Sequence, residues 1–347
     1  MNQNDKVNRK VVLASRPDGA PTAENFRLET ADIPAPGPGE LLLRTVYMSL
    51  DPYMRGRMSD APSYADPVPI DGVMTAGTVS RVVSSNNKDY RPGDWVLSYA
   101  GWQDYSVSHG EGLEKLAGDS LQHPSWALGV LGMPGFTGYM GLKDIGQPQA
   151  GETVVVGAAT GAVGSVVGQV AKLKGCRAVG VASGAEKCRY AVDTLGFDAC
   201  VDRRADDFAR QLADACPDGI DIYFESVGGA VFDAVIPLLN TKARIPLCGV
   251  IANYNSRDLP DGKDRLPFLQ ALLLRKRIRM QGFIIFQDYG DRYQEFVDEV
   301  GPWASAGKVI MREDIVDELE SAPQAFIDML QGKNFGKLVI RVGEDNA

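Results

Sequence analysis

Over the first hundred residues the apolar positions fall in short runs cut by proline and glycine. These are residues 41–48 after Pro36-Gly-Pro-Gly39, 77–83, and 95–99 after Arg91-Pro-Gly-Asp94. Short β-prone runs punctuated by turns predict a small all-β module over about residues 10–108. From residue 153 the pattern changes. Thr153 to Val156 is a β-branched run without alternation, as expected of a parallel strand covered on both faces. Val163, Val166, Val167, Val170 and Leu173 then recur at helical spacing, Lys172 and Lys174 sit in the last turn, and Gly175 follows as a stop. A strand at 178–182 completes a βαβ unit, and 220–225, 244–248 and 280–285 are expected to join the same sheet. Near the end, 308–312 and 337–342 read as strands and 322–330 as a helix, a tail expected to return to the β module. The fold class is therefore α/β, a doubly wound parallel Rossmann sheet beside a mostly-β domain.

The turn between the strand at 153–156 and its helix carries the first chemistry. Ala159, Gly161 and Gly164 occupy the three positions of the dinucleotide fingerprint, with Ala in place of the first Gly. Gly161 lets the backbone approach a pyrophosphate, and Gly164 lets the helix pack closely on the strand. The helix N-terminus, with its free N–H groups, suits an anion. At the second strand end, where an NAD site places Asp or Glu, the chain reads Ser183-Gly-Ala-Glu-Lys-Cys-Arg189. Ser183, Lys187 and Arg189 are the donors that a 2′-phosphate would need, so NADPH is expected rather than NADH.

Composition narrows the classes. A chain of 347 residues, 44% hydrophobic and 23% charged, is expected to form two domains of a soluble globular enzyme. A net charge of −9 argues against a nucleic-acid partner, and the basic run Arg275-Lys-Arg-Ile-Arg279 reads as a helix end before a strand. Five cysteines, at 176, 188, 200, 216 and 248, include no C-x-x-C pair, which fits a reducing, cytoplasmic setting. The polar N-terminus and the absence of a long apolar run argue against a signal peptide or a membrane span. No cysteine precedes Cys176 and the histidines are His109 and His123 alone, so neither a catalytic zinc site nor a Ser-His-Asp arrangement is expected, and the metal prediction is none. Polarising a carbonyl would then fall to Tyr, Ser or Thr, to backbone N–H groups, or to the cofactor ribose.

Several segments, in order, carry a family pattern: Leu50-Asp-Pro-Tyr-Met-Arg55, Val130-Leu-Gly-Met-Pro-Gly-Phe-Thr137, the glycine fingerprint with Gly168-Gln-Val-Ala-Lys-Leu-Lys-Gly175, Tyr223-Phe-Glu-Ser-Val-Gly-Gly229 and Asn334-Phe-Gly-Lys337. Over nearly its whole length the chain resembles the zinc-free medium-chain dehydrogenase/reductases, in the branch of the prostaglandin, alkenal double-bond and curcumin reductases. The resemblance implies a GroES-like catalytic domain from residues 1–128 and 306–347, a Rossmann domain over 129–305, a cleft at their junction, and a homodimer. It implies reduction of the carbon–carbon double bond of a hydrophobic enone or enal, with hydride delivered to the β-carbon. Carried over by motif, Thr160, Ala162 and Val163 would meet the pyrophosphate, Lys187 the adenosine 2′-phosphate, and Cys248, Val250 and Tyr254 the nicotinamide; Gly161 and Gly164 of the fingerprint, and Ser183 and Gly184 at the second strand end, complete the cofactor-binding set. Asn334 would reach the cofactor from the C-terminal segment. Where the prostaglandin reductases carry Asn-Tyr-Lys after the third Rossmann strand, this chain has Asp202-Arg-Arg204; Arg203 or Arg204 stands either near the adenosine phosphate or in solvent.

The tyrosine candidates for catalysis are Tyr53, Tyr64 and Tyr254. Tyr53 lies in the motif that borders the family's active site, Tyr64 in the Pro- and Ser-rich loop over 59–66, and Tyr254 just past a strand end of the kind that faces the cofactor. Met54, Met58, Phe283 and Phe286 suggest an apolar pocket. Two alternatives stand beside the enone reductase: a quinone oxidoreductase, and a non-catalytic NADPH-binding structural or regulatory protein.

Overall fold

The computed structural model describes residues 7–256 and 265–344. Two compact units emerge, one from Met1–Leu128 with Glu313–Ala347 and one from Gly129–Arg312. Residues 306–312, assigned from the sequence to the returning segment, group with the second unit.

The first unit begins with β1 (Asn8–Leu13), β2 (Phe26–Ala31), β3 (Leu41–Ser49), β4 (Thr78–Ser85), β5 (Trp95–Ser98), β6 (Tyr105–Ser108) and β7 (Glu114–Lys115). β1 and β2 form a two-stranded antiparallel sheet, and β2 is a strand that the apolar pattern missed. Its sequence, Phe-Arg-Leu-Glu-Thr-Ala, is mostly exposed, so it is held by its register with β1 rather than by an apolar run of its own.

The second unit holds β8 (Thr153–Val156), β9 (Arg177–Ala182), β10 (Ala199–Asp202), β11 (Ile220–Phe224), β12 (Leu239–Leu247) and β13 (Arg279–Gly282). They form one parallel sheet in the order β10-β9-β8-β11-β12-β13, the doubly wound arrangement. β8 is buried along its whole length, as its uninterrupted β-branched run requires. The last strand is shorter than expected. β13 stops at Gly282, and Ile285 opens the helix Ile285–Tyr289, with the Ile284 N–H donating to the Asp288 carboxylate at 2.7 Å. Residues 308–312 are not a strand either. The backbone of Ile310 pairs with the side-chain amide of Gln169, at 2.9 Å and 2.7 Å, which takes the place of a neighbouring strand.

The chain then returns to the first unit as β14 (Glu313–Asp317), the helix Ala322–Leu330 and β15 (Lys337–Arg341). β15 lies parallel to β14 and antiparallel to β3, giving the order β14-β15-β3-β4-β5-β7 with β6 also on β3. The returning helix brings Phe326 edge-on to Trp102 at 5.8 Å between ring centroids, and Trp102 stacks on Phe26 at 5.5 Å, an aromatic core shared by both chain ends. Met54 and Met58 are fully buried in this core, which corrects their assignment to a substrate pocket. Phe283 is buried as well, and only Phe286 is exposed.

Candidate active site

In the second unit the turn after β8 is shaped by what its residues lack. A Cβ on Gly164 would fall 2.4 Å from the Ala158 carbonyl oxygen, so the helix Ala162–Leu173 approaches the turn as closely as it does only with glycine there. Ala158 itself is left-handed at φ 47°, a conformation that costs a non-glycine residue free energy. Ala159, the substitute for the first glycine, is fully buried; its N–H donates to the Val181 carbonyl at 3.0 Å. Room for its methyl comes from Gly180 on β9, where a Cβ would lie 2.8 Å from the Ala159 Cβ. Gly161 is the helix N-cap and offers no side chain to the first turn. The N–H groups of Ala162, Val163 and Gly164 open the helix and have no acceptor one turn back, and the Thr160 side chain is buried beside them. An uncapped helix start over a turn that a Cβ would fill is the form a pyrophosphate site takes.

At the ends of β9 and β10 the structure gathers Ser183, Gly184 and Arg203. Arg203 Nε donates to Ser183 Oγ at 2.6 Å. The N–H groups of Gly184 and Arg204 both donate to Asp202 Oδ1, at 2.9 Å and 3.0 Å. Desolvation pushes the Asp202 carboxyl up, but these amides and the two arginine charges more than offset it and hold it below its usual value. Asp202 is thus an acid brought to the end of the second strand from the third, by the pairing of Asp202 with Ala182. Lys187 lies in the first turn of the helix Ala185–Asp193, and Arg189 on the same helix is exposed.

Beyond β12 the chain passes through Cys248, Gly249 and Val250 into a short turn, Ile251–Asn253, and then Tyr254. The N–H groups of Cys248, Ile251 and Ala252 donate to the carbonyls of Glu225, Ser226 and Val227, at 3.0, 3.3 and 2.9 Å. Burial, with the neighbouring Glu225, pushes the Cys248 thiol up to about 12, so it is a neutral wall and not a nucleophile.

In the first unit Tyr53 and Tyr64 share one cation. The Arg57 guanidinium carbon lies 4.4 Å from the Tyr64 ring centroid and 5.8 Å from that of Tyr53. Arg57 is itself buried and donates to the Ala65 carbonyl at 2.9 Å, which ties the Tyr64 loop to the helix Met54–Arg57. Burial, and then the Asp51 charge, raises Tyr53 above its ordinary value; the same two causes push Tyr99, which the sequence did not single out, up to about 12. Both phenols are donors at neutral pH. Tyr64 is exposed, as a residue that meets ligand from a loop can be.

Asp51 is held from the far end of the chain. Lys337, 1% exposed, places Nζ 2.7 Å from Asp51 Oδ1, 2.6 Å from Ser49 Oγ and 3.0 Å from the Leu50 carbonyl, while the Ser49 hydroxyl donates to the other Asp51 oxygen. Asn334 stands in the turn before β15 and donates from Nδ2 to the Gly336 carbonyl at 2.9 Å. Among the described residues no three His, Cys, Asp or Glu side chains come together as a metal site requires, and no helix is long and apolar enough to cross a membrane.

Two domain families match the chain: one described as the N-terminal domain of oxidoreductase, over residues 9–116, and one as zinc-binding dehydrogenase, over 162–301. The NADPH-dependent curcumin reductase of Escherichia coli is 66% identical over 346 residues, which cover 100% of both chains. Prostaglandin reductase 1 of Mus musculus is 41% identical over 330 residues, 93% of this chain and 96% of that protein. Among solved structures, CurA of Vibrio vulnificus in complex with NADPH superimposes with a TM-score of 0.94 at 63% identity, over 97% of this chain and 99% of that one.

Proposed function

Because the chain belongs to the zinc-free medium-chain dehydrogenase/reductases, in the branch of the prostaglandin and curcumin reductases, we propose that it is an NADPH-dependent reductase of the double bond of α,β-unsaturated ketones and aldehydes. The observation that carries this reading is the full-length likeness, at 66% identity, to a protein named for NADPH and curcumin. When bound, NADPH supplies a hydride, which adds to the carbon β to the carbonyl. The chain's residues hold and orient. Thr160 and the amides of Ala162, Val163 and Gly164 receive the pyrophosphate, Gly161 lets the backbone come close to it, and the Cβ-free approach at Gly164 supports that fit. Ser183, Gly184, Lys187 and Arg203 face the 2′-phosphate; the Arg203–Ser183 contact at 2.6 Å supports a preference for phosphate over a bare ribose.

Cys248 and Val250 border the nicotinamide, and Asn334 reaches the cofactor from the C-terminal segment. Tyr254 or Tyr64 donates a hydrogen bond to the substrate carbonyl oxygen as negative charge develops there, and Tyr53 borders the same substrate. A tyrosine or water then protonates the α-carbon. The substrate is a hydrophobic small molecule. We also read the chain as a homodimer of a reducing, cytoplasmic compartment. The position of β13 at the end of the parallel sheet supports the first, and five cysteines without a disulfide support the second.

Consumption of NADPH and of NADH with a panel of enones, enals and quinones tests the reading, with mass spectrometry of the products. Saturation of the double bond by NADPH is expected. Turnover of quinones alone would move the chain to the quinone oxidoreductases, and none with any acceptor would leave a binding protein.

A further inference from the structure

Glu225 has no part in the chemistry above, yet it lies behind the segment that carries Tyr254. It is the third residue of the motif Tyr223-Phe-Glu-Ser-Val-Gly-Gly229, its side chain is 1% exposed, and among the described residues it has no ion-pair partner. A lone carboxyl in such a place is costly unless its hydrogen bonds are made. One oxygen, Oε1, accepts three of them: from the Val227 N–H at 2.6 Å, the Gly228 N–H at 2.9 Å and the Tyr223 hydroxyl at 3.1 Å.

The planar trans peptide turns this local cap into a directed one. In each peptide unit the N–H and the C=O point opposite ways. With the N–H groups of Val227 and Gly228 aimed at the carboxylate, the carbonyls of Ser226 and Val227 are aimed away from it. Those two carbonyls accept the N–H groups of Ile251 and Ala252, at 3.3 Å and 2.9 Å. The turn that leads into Tyr254 is thus docked on acceptors whose direction Glu225 sets. The phenol then folds back over Gly249, where a Cβ would lie 2.9 Å from the Tyr254 hydroxyl oxygen.

We propose that Glu225 is a positioning residue for Tyr254. Its carboxyl orients the turn over residues 226–228, that turn fixes residues 248–252, and Gly249 leaves open the space the Tyr254 hydroxyl occupies. The proposal rests on the reading of Tyr254 as a donor to the substrate carbonyl.

The test uses the full-length protein with an enone and NADPH, reading kcat, KM and NADPH affinity for Glu225→Ala, Glu225→Gln, Glu225→Asp, Tyr254→Phe and the double variant Glu225→Ala/Tyr254→Phe. Glu225→Ala is expected to lower kcat about tenfold, since a donor displaced by about an ångström loses that much or more. Glu225→Gln, which keeps an acceptor oxygen at the same reach, is expected to stay within about threefold of the parent. Glu225→Asp keeps the charge but falls short of the amides, and is expected to resemble Glu225→Ala. In the Tyr254→Phe background the loss of Glu225 should cost less than about twofold, because the group it positions is gone. Parental kcat in Glu225→Ala overturns the proposal, as does an equal cost in both backgrounds. Should Glu225→Ala not fold, the order of the conservative pair decides: Glu225→Asp better than Glu225→Gln overturns it. Undiminished turnover in Tyr254→Phe would instead remove the role of Tyr254 itself, and this proposal with it.

Discussion

At residues 157–164 the chain makes its site by leaving side chains out, whereas at 49–66 it makes one by locking side chains together across the sequence. In the first region a missing Cβ at Gly164, a left-handed Ala158 and an uncapped helix start leave backbone N–H groups free to receive an anion. In the second, Lys337 holds Asp51 and Ser49, and Arg57 lies against the rings of Tyr53 and Tyr64. The backbone site forms from its own turn and the neighbouring strand β9, within the same βαβ unit. A side-chain site needs partners 286 to 288 positions away. The two regions should therefore fail differently when damaged.

The largest effect is expected from Lys337→Ala. It strands the buried Asp51 carboxylate and should cost about 3–5 kcal/mol, confined to the first unit. Calorimetry should resolve an early transition; an unchanged melting profile would mean that the pair does not hold the segment. Next come two variants that should cross. Tyr64→Phe is expected to lower kcat by about 10–100-fold with NADPH affinity intact. Gly164→Ala is expected to weaken NADPH binding about tenfold, from about 1–3 kcal/mol of overpacking, with kcat at saturating NADPH retained. If both variants lowered the same parameter, the division between the regions would be wrong. Arg57→Gln should lower kcat/KM by about threefold to fivefold, the worth of a cation over an aromatic face.

The smallest effect concerns acid. In the second unit Lys143 and Lys174 bind Glu299, whose hydroxyl partner is Tyr139, and Lys143 also binds Glu295. Arg292 and then Lys143 hold the Glu295 carboxyl at about 2; desolvation pushes Glu299 up, but Tyr139, Lys174 and Lys143 outweigh it and hold that carboxyl at about 2 as well. Both values lie below the usual 4.5, so this network adds stability above that pH and loses it as pH falls toward 2. Lys143→Met should flatten the acid limb of a stability profile of the second unit, an effect kept small by solvent screening.

The same contrast explains what could be read in advance. The strand at 153–156, its glycine turn and its helix are local, and both their type and their bounds follow from spacing. Ala159 in place of glycine became intelligible only with Gly180 opposite it on β9, because the match runs between strands. Asp202 and Gly184 lie 18 positions apart and meet only through the pairing of β9 with β10. Tyr64 was legible as a loop tyrosine, but the buried arginine beneath it was not, since a guanidinium under an aromatic ring leaves no periodic trace. The motifs at Asp51 and Lys337 were visible separately, and their contact depends on β15 lying beside β3.

That placement of β15 has a consequence for the order of assembly. During synthesis the second unit has all its strands once residue 312 has been made, and it can close while translation continues. The first unit begins earlier and must finish later. Until β14 and β15 emerge, the end of β3 over Tyr47–Ser49 presents an open edge and Asp51 lacks its lysine. The N-terminal part of the chain therefore waits, incompletely paired, for its last strands, and the nascent protein is most exposed to aggregation in the region that was translated first.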